Sequence, residues 1–213
     1  MNRHWVIGDV HGCDQALQHL VGLLPSGDHL VFCGDVVGRG PGVRQCVDQV
    51  WSLVCKGRAT WLLGNHEQRL IQDRMLQKAL WPAAPEQAEE WVERIQSLPL
   101  MFQGKGWVAT HAGFNPEGIP DLEIREPFWQ NYDGRYGQVI VAHTPGSDVR
   151  RHGQIVLIDT GAVYGGHLTA FCPETEAVIQ VQGLDSNEAH PRRKTGSAAQ
   201  PQPGRSLVSG APC

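Results

Sequence analysis

Three short apolar runs near the start of the chain each stop at a glycine followed by an oxygen-bearing residue. Trp5-Val6-Ile7 leads to Gly8-Asp9, Leu30–Cys33 to Gly34-Asp35, and Trp61-Leu62-Leu63 to Gly64-Asn65. Such runs read as buried strands. The segments between them carry helical spacing: Ala16, Leu17, Leu20, Val21 and Leu24 first, then Val43, Val47, Val50, Trp51 and Val54 behind Pro41. Alternation of this kind points to an α/β fold with parallel strands, where ligands bind beyond the carboxyl ends of the strands. Glycine lets the backbone turn tightly there. Asp9, Asp35 and Asn65 are therefore expected on one rim.

A further helical stretch runs through Leu70, Ile71 and Met75 to about Leu80. Pro82 and Pro85 interrupt it, and a second helix is expected over residues 86–97, with an acidic start at Glu86, Glu89 and Glu90. The remainder is strand-rich, with candidates at 100–103, 107–110, 139–142, 155–158, 168–172 and 177–181. From Gly183 the composition turns to Pro, Gly, Ser, Gln and Arg. Residues 1–182 are thus expected to form one domain, and 183–213 a disordered tail with too little apolar surface to offset ordering entropy. The Arg192-Arg193-Lys194 cluster in it reads as a solvated charge run.

A chain of 213 residues, 41% hydrophobic and 19% charged, suits one globular domain. Its net charge of −4 argues against a nucleic-acid binder working through a broad basic face. No apolar run approaches the roughly 20 residues of a membrane-spanning helix. The first residues lack the apolar stretch of a signal peptide, so a cytoplasmic location is expected. The cysteines (Cys13, Cys33, Cys46, Cys55, Cys172 and Cys213) form no C-x-x-C pair, and most are expected to be small buried hydrophobes.

The histidines give the strand ends their chemical meaning. Gly8-Asp9-Val10-His11-Gly12 places a carboxylate and an imidazole two residues apart, on the same side of extended backbone. Gly34-Asp35-Val36-Val37-Gly38-Arg39-Gly40 adds a second carboxylate and an arginine. Gly64-Asn65-His66-Glu67 adds an amide oxygen and an imidazole. His111 and His143 each end a further strand. A lone Gly-Asp after a strand is ordinary turn chemistry; five such events in order are not. Carboxylate, amide and imidazole together, without thiolate, suit Mn²⁺, Fe or Zn²⁺. A shared carboxylate could bridge two ions about 3.5–4 Å apart, and a nearby arginine suits phosphate oxygens.

These motifs resemble the phosphoprotein phosphatase family of metallophosphoesterases, in its bacterial serine/threonine branch. The family pattern of GDxHG, GDxxDRG, GNHE and two isolated histidines appears here as GDVHG, GDVVGRG, GNHE, HAG and AHTP, and the run Ile158–Gly166 also looks like the bacterial branch. The resemblance covers residues 4–182 and implies an α/β sandwich of two central mixed β-sheets flanked by helices. It implies one metal on Asp9, His11 and Asp35, and a second on Asp35, Asn65, His111 and His143, with Mn²⁺ the expected ion. It further implies that Arg39 and Arg125 bind phosphate, and that His66 protonates the leaving group.

One position departs from the pattern. Gly38 stands where the family carries the aspartate that orients the histidine matching His66. Metal binding should survive and leaving-group protonation should suffer, least for substrates with good leaving groups. Activity restored by Gly38→Asp would mark a catalytic scaffold that is merely impaired, and a dead variant that still binds metal would favour a binding role. The expected activity is that of a serine/threonine or dual-specificity protein phosphatase, acting on phosphoproteins or small phosphoesters through a metal-activated water. The alternatives are a dinucleoside polyphosphate hydrolase, and a metal- and phosphate-binding regulatory protein with little turnover.

Overall fold

The computed structural model of the chain describes residues 3–185. Among them lie two five-stranded mixed sheets and six α-helices, the α/β sandwich expected. The first sheet has the order β12-β11-β1-β2-β3, formed by Ala177–Gln182, His167–Cys172, His4–Ile7, His29–Phe32 and Ala59–Trp61. Here β1, β2 and β3 are parallel, and β11 and β12 join antiparallel. The second sheet has the order β4-β5-β8-β10-β9, formed by Met101–Gln103, Trp107–Thr110, Gln138–Val141, Ile155–Leu157 and Arg150–His152. Its central β5, β8 and β10 are parallel.

Residue alternation along the strands builds three apolar layers. Trp5, Ile7, Leu30, Phe32 and Trp61 face outward from the first sheet, onto α1 (Asp14–Leu23), α2 (Val43–Cys55), α3 (Asn65–Gln72) and α5 (Pro85–Gln96). Their neighbours Val6, Val31, Cys33 and Leu62 point the other way and meet Trp107, Ala109, Ile140, Val156 and Phe171 between the sheets. Val108, Val139, Val141, Ile155 and Leu157 form the outer face of the second sheet, covered by Phe114 and by Phe128 of α6 (Glu126–Asn131). The sandwich is therefore layered helix, sheet, sheet, helix.

Where local chemistry competes, the elements differ from expectation. The helical stretch around residues 70–80 is two helices. Asp73 closes α3 with its backbone N–H on Arg69 O, and its carboxylate caps α4 (Arg74–Leu80) by accepting the N–H of Met75. The small hairpin β6 (Gly113–Phe114) and β7 (Pro120–Asp121), helix α6 and the edge strand β9 carry no clear apolar period and were not expected. Gly183 and Leu184, the first residues of the expected tail, are tied to the body: their N–H groups donate to Gly166 O and Ala162 O at 2.8 and 2.9 Å. The rest of that tail from 186 lies outside the described residues. Cys13, Cys33, Cys46 and Cys172 are buried and Cys55 is exposed, all as free thiols; Cys213 lies outside the described residues. No described helix is long and apolar enough to cross a membrane.

Phe171 is 1% exposed and fills the space between the sheets. Phe171→Ala should cost about 3–5 kcal/mol of folding free energy, read from the shift of the urea unfolding midpoint.

Candidate metal and phosphate site

Strands β1, β2, β3, β5 and β8 all end on one rim of the sandwich. The first three deliver Asp9 and His11, Asp35, and Asn65 with His66; the last two deliver His111 and His143. Turning this sharply needs unusual backbone. Among the described residues, five that are not glycine have positive φ, and four of them are His11 (47°), Asp35 (51°), Arg39 (63°) and His143 (64°). Such conformations cost about 1–3 kcal/mol each and concentrate at functional sites. Gly34, at φ 88°, lets the second strand end pass within contact of Gly64 and the His111 ring, where a Cβ would meet Gly64 Cα at 2.7 Å.

Main-chain carbonyls fix the tautomers of two imidazoles. His11 Nδ1 donates to Val37 O at 3.0 Å, and His111 Nδ1 to Cys33 O at 2.8 Å. Each ring therefore aims an Nε2 lone pair inward. His11 Nε2 faces Asp9 Oδ2 and Asp35 Oδ2, both at 3.6 Å. His111 Nε2 faces Asp35 Oδ1 at 3.6 Å and lies 3.1 Å from Asn65 Oδ1 and 3.2 Å from His143 Nδ1. The Asn65 oxygen also lies 3.0 Å from Asp35 Oδ2, while its amide nitrogen faces Arg69. Without a cation the reversed amide would satisfy these neighbours better. An inward oxygen among lone pairs is the orientation a cation favours. His143 Nε2 is buried without a hydrogen-bond partner of normal geometry.

Ligand-type atoms cluster twice: those of His11, Asp35 and His66, and those of Asp35, His111 and His143, each within 4.8 Å of one another. Asp35 belongs to both. Its Oδ1 also accepts the His66 N–H at 2.8 Å, and Asp9 Oδ1 accepts the N–H of His143 at 3.2 Å. The six expected ligand residues lie on one rim, but the first cluster takes His66 where Asp9 was expected, and Asp9 approaches it through His11 Nε2 at 3.6 Å.

Several contributors were not foreseen. Glu67 accepts four backbone N–H groups, from Asp35 (2.7 Å), Val36 (2.8 Å), Val37 (3.1 Å) and Gly64 (3.0 Å). Asp159, buried beside the site, adds a further negative charge that raises the proton affinity of Asp9 and Asp35. Thr144 Oγ1 accepts from Arg125 at 3.2 Å, which holds that exposed arginine at the rim beside His143.

His66 is oriented differently from the family expectation. Arg39 donates to its Nε2 at 3.3 Å, and the Arg39 guanidinium lies over the Tyr164 ring. Its Nδ1 occupies the space beside Gly38, whose φ is 93°; a Cβ there would lie 2.4 Å from Nδ1. Gly38→Asp would therefore displace the ring it was expected to orient. Burial, with the charges of Arg39 and Arg69, pushes the His66 imidazole down to about 4.

The sequence matches the calcineurin-like phosphoesterase pattern over residues 3–175. The chain belongs to the calcineurin-like phosphoesterase family. An asymmetrical bis(5'-nucleosyl)-tetraphosphatase from Anoxybacillus flavithermus is 29% identical, over 81% of this chain and 91% of that protein. One from Bacillus cereus is 26% identical, over 81% and 92%. These relatives are tetraphosphatases rather than the serine/threonine phosphatases expected. In structure, the phosphoesterase superposes on a protein provisionally named a diadenosine tetraphosphatase with a TM-score of 0.67 and 23% identity, covering 86% of this chain and 94% of the other. It also superposes on a Saccharomyces cerevisiae serine/threonine phosphatase similar to human PP5, with a TM-score of 0.61 and 14% identity, over 91% and 82%. Both likenesses are in fold.

Crowding of negative charge gives the phosphoesterase a pH signature. Burial, then the charges of Asp159 and Asp35, raise Asp9 well above the ordinary carboxylate range. Burial pushes Asp35 and Glu67 up to about 7. A carboxyl raised by folding stabilises the fold only while protonated, and that contribution is lost as pH rises through the folded value. Burial lowers the imidazoles of His11, His66, His111 and His143, which oppose folding only below their ordinary 6.5. Above about pH 7, up to about pH 8, the carboxylates dominate, because the imidazoles of the unfolded chain are by then mostly neutral. Calorimetry on chelated protein should therefore show a melting temperature that falls across this interval. Saturating Mn²⁺ should raise it and flatten the fall.

Proposed function

We propose that this phosphoesterase is a metal-dependent hydrolase of dinucleoside polyphosphates, cleaving a P–O–P anhydride with an activated water. The observation that carries this reading is the setting of His66. Its Nε2 lone pair is held by Arg39, and Gly38 leaves no carboxylate behind Nδ1. Such a ring is a poor proton donor. A serine alkoxide needs a proton as it leaves, whereas a departing nucleotide leaves as a phosphate anion and needs little help. The names of the relatives support the same substrate class.

In this reading Asp9, His11 and Asp35 would hold one cation. Asp35, Asn65, His111 and His143 would hold the second, so that Asp35 would serve both. When bound, the two cations would activate the attacking water and offset the charge on phosphate. Mn²⁺ is the proposed ion; the nitrogen and oxygen donors also accept Fe or Zn²⁺. Arg39 and Arg125 grip phosphate oxygens through paired N–H groups. Val37 O and Cys33 O keep the His11 and His111 lone pairs aimed inward. Asp35→Asn should weaken both metal sites together; two ions per chain at unchanged affinity, counted by calorimetric titration, would overturn the bridge.

A serine/threonine protein phosphatase is the second reading, supported by the GNHE motif followed by Gln68-Arg69. The two separate on substrates. With Mn²⁺, kcat/KM for diadenosine tetraphosphate should exceed that for a phosphoserine peptide by about 100-fold, since general acid help is worth about 10²–10⁴-fold to the alkoxide. Chelation should abolish both activities. His66→Gln should cost the tetraphosphate less than about 10-fold. A faster phosphopeptide would favour the protein phosphatase, and no turnover with metal bound would favour the regulatory binding role.

A further inference from the structure

Helix α3 carries Asn65, His66 and Arg69 at spacings of three and four residues, which stack side chains on one face. The first two belong to the site already described. Arg69 reaches the same rim. Its Nη2 lies 3.2 Å from the Asn65 amide nitrogen, and its charge lowers the proton affinity of both Asp35 and His66. In the reversed amide orientation the Asn65 oxygen would accept from Arg69 at this distance, so the contact fixes where Arg69 lies. The acceptor Arg69 does have is Glu123 Oε1 at 3.1 Å, in a pair whose side chains are 54% and 63% exposed. Ion pairs this exposed are weak and readily exchanged. Glu123 stands two residues before Arg125, in a turn where Asp121 Oδ1 accepts the N–H groups of Glu123 and Ile124 at 2.8 and 3.0 Å.

Three guanidiniums therefore border one site: Arg39, Arg69 and Arg125. In the reading above, the two cations with Arg39 and Arg125 would serve the oxygens of the attacked phosphate. A third guanidinium, resting on an exposed carboxylate, has the charge and fork geometry to take a neighbouring phosphate in the carboxylate's place.

We propose that Arg69 binds the phosphate adjacent to the one attacked, exchanging Glu123 for it, and so selects polyphosphate chains over single phosphates. This inference rests on the anhydride reading above. Glu123 is the built-in competitor that keeps Arg69 neutralised until a chain arrives.

The test is calorimetric binding of inorganic tripolyphosphate and of orthophosphate at fixed free Mn²⁺, on the full chain and its variants. The wild type should prefer tripolyphosphate. Arg69→Gln should weaken tripolyphosphate at least about 10-fold more than orthophosphate, the loss expected of a charge-assisted pair. Glu123→Gln should tighten tripolyphosphate and leave the orthophosphate constant little moved. Equal weakening of both ligands in Arg69→Gln, or no preference in the wild type, would overturn the proposal. Because the probe carries no nucleoside and is read by heat, the result stands apart from whether diadenosine tetraphosphate is hydrolysed. Failure of that hydrolysis with tripolyphosphate preference intact would sink the anhydride reading and keep Arg69 as a polyphosphate-binding residue.

Discussion

The buried carboxylate of Glu67 is the interaction on which the rest of the site hangs. Four backbone N–H groups point at it, three from the turn after β2 and one from Gly64 at the start of α3. Leaving even one such donor unpaired in the interior costs about 1–3 kcal/mol. The same turn then organises the first strand end: Asp35 O accepts the N–H groups of Val10 and His11, and Val36 O accepts that of Gly12. One side chain therefore sets the height and angle at which three loops present their ligands. The backbone strain at His11, Asp35 and Arg39 persists because this bracket over-determines the turns.

Much of this was legible in the residues, for a physical reason. Strand ends in a parallel sheet are forced onto one edge, so Asp9, Asp35 and Asn65 could be gathered from their order alone, whereas His111 and His143 end strands of the second sheet and were joined to them only through the family resemblance. The layered cores were less readable, because the runs at Val6 and Val31 are apolar throughout and only the fold sends Ile7 and Phe32 to one face and Val6 and Val31 to the other. Glu67 was quoted within its motif, yet its work is done through backbone N–H groups, which leave no trace in sequence. Asp159 likewise sat inside a recognised run, and only the folded chain brings its charge to Asp9. Arg69 follows the GNHE motif, and only helix spacing and the Asn65 amide put it at the rim.

The departure at Gly38 shows where motif transfer stops. The sequence marks a missing carboxylate, and the simplest inference is that replacing it repairs the site. In the fold, the glycine has a positive φ and the His66 ring occupies the space where a Cβ would lie. The imidazole rests on Arg39 instead. A substitution that reads as conservative in a motif is thus a steric event in the structure.

The division of ligands between the sheets has a consequence for assembly. Asp35 and Asn65 come from the first sheet, whereas His111 and His143 come from the second. The proposed first set, Asp9, His11 and Asp35, lies wholly on the first sheet, whereas the proposed second set draws on both. A cation held by that second set would act as a rivet through both layers, and it could be seated only after the layers have met across Val6, Phe171 and Ile140. Such an ion would arrive late and could not serve as a nucleus for folding. Once in place, it would resist the sliding of one sheet over the other, the motion that would most easily pull the strand ends apart.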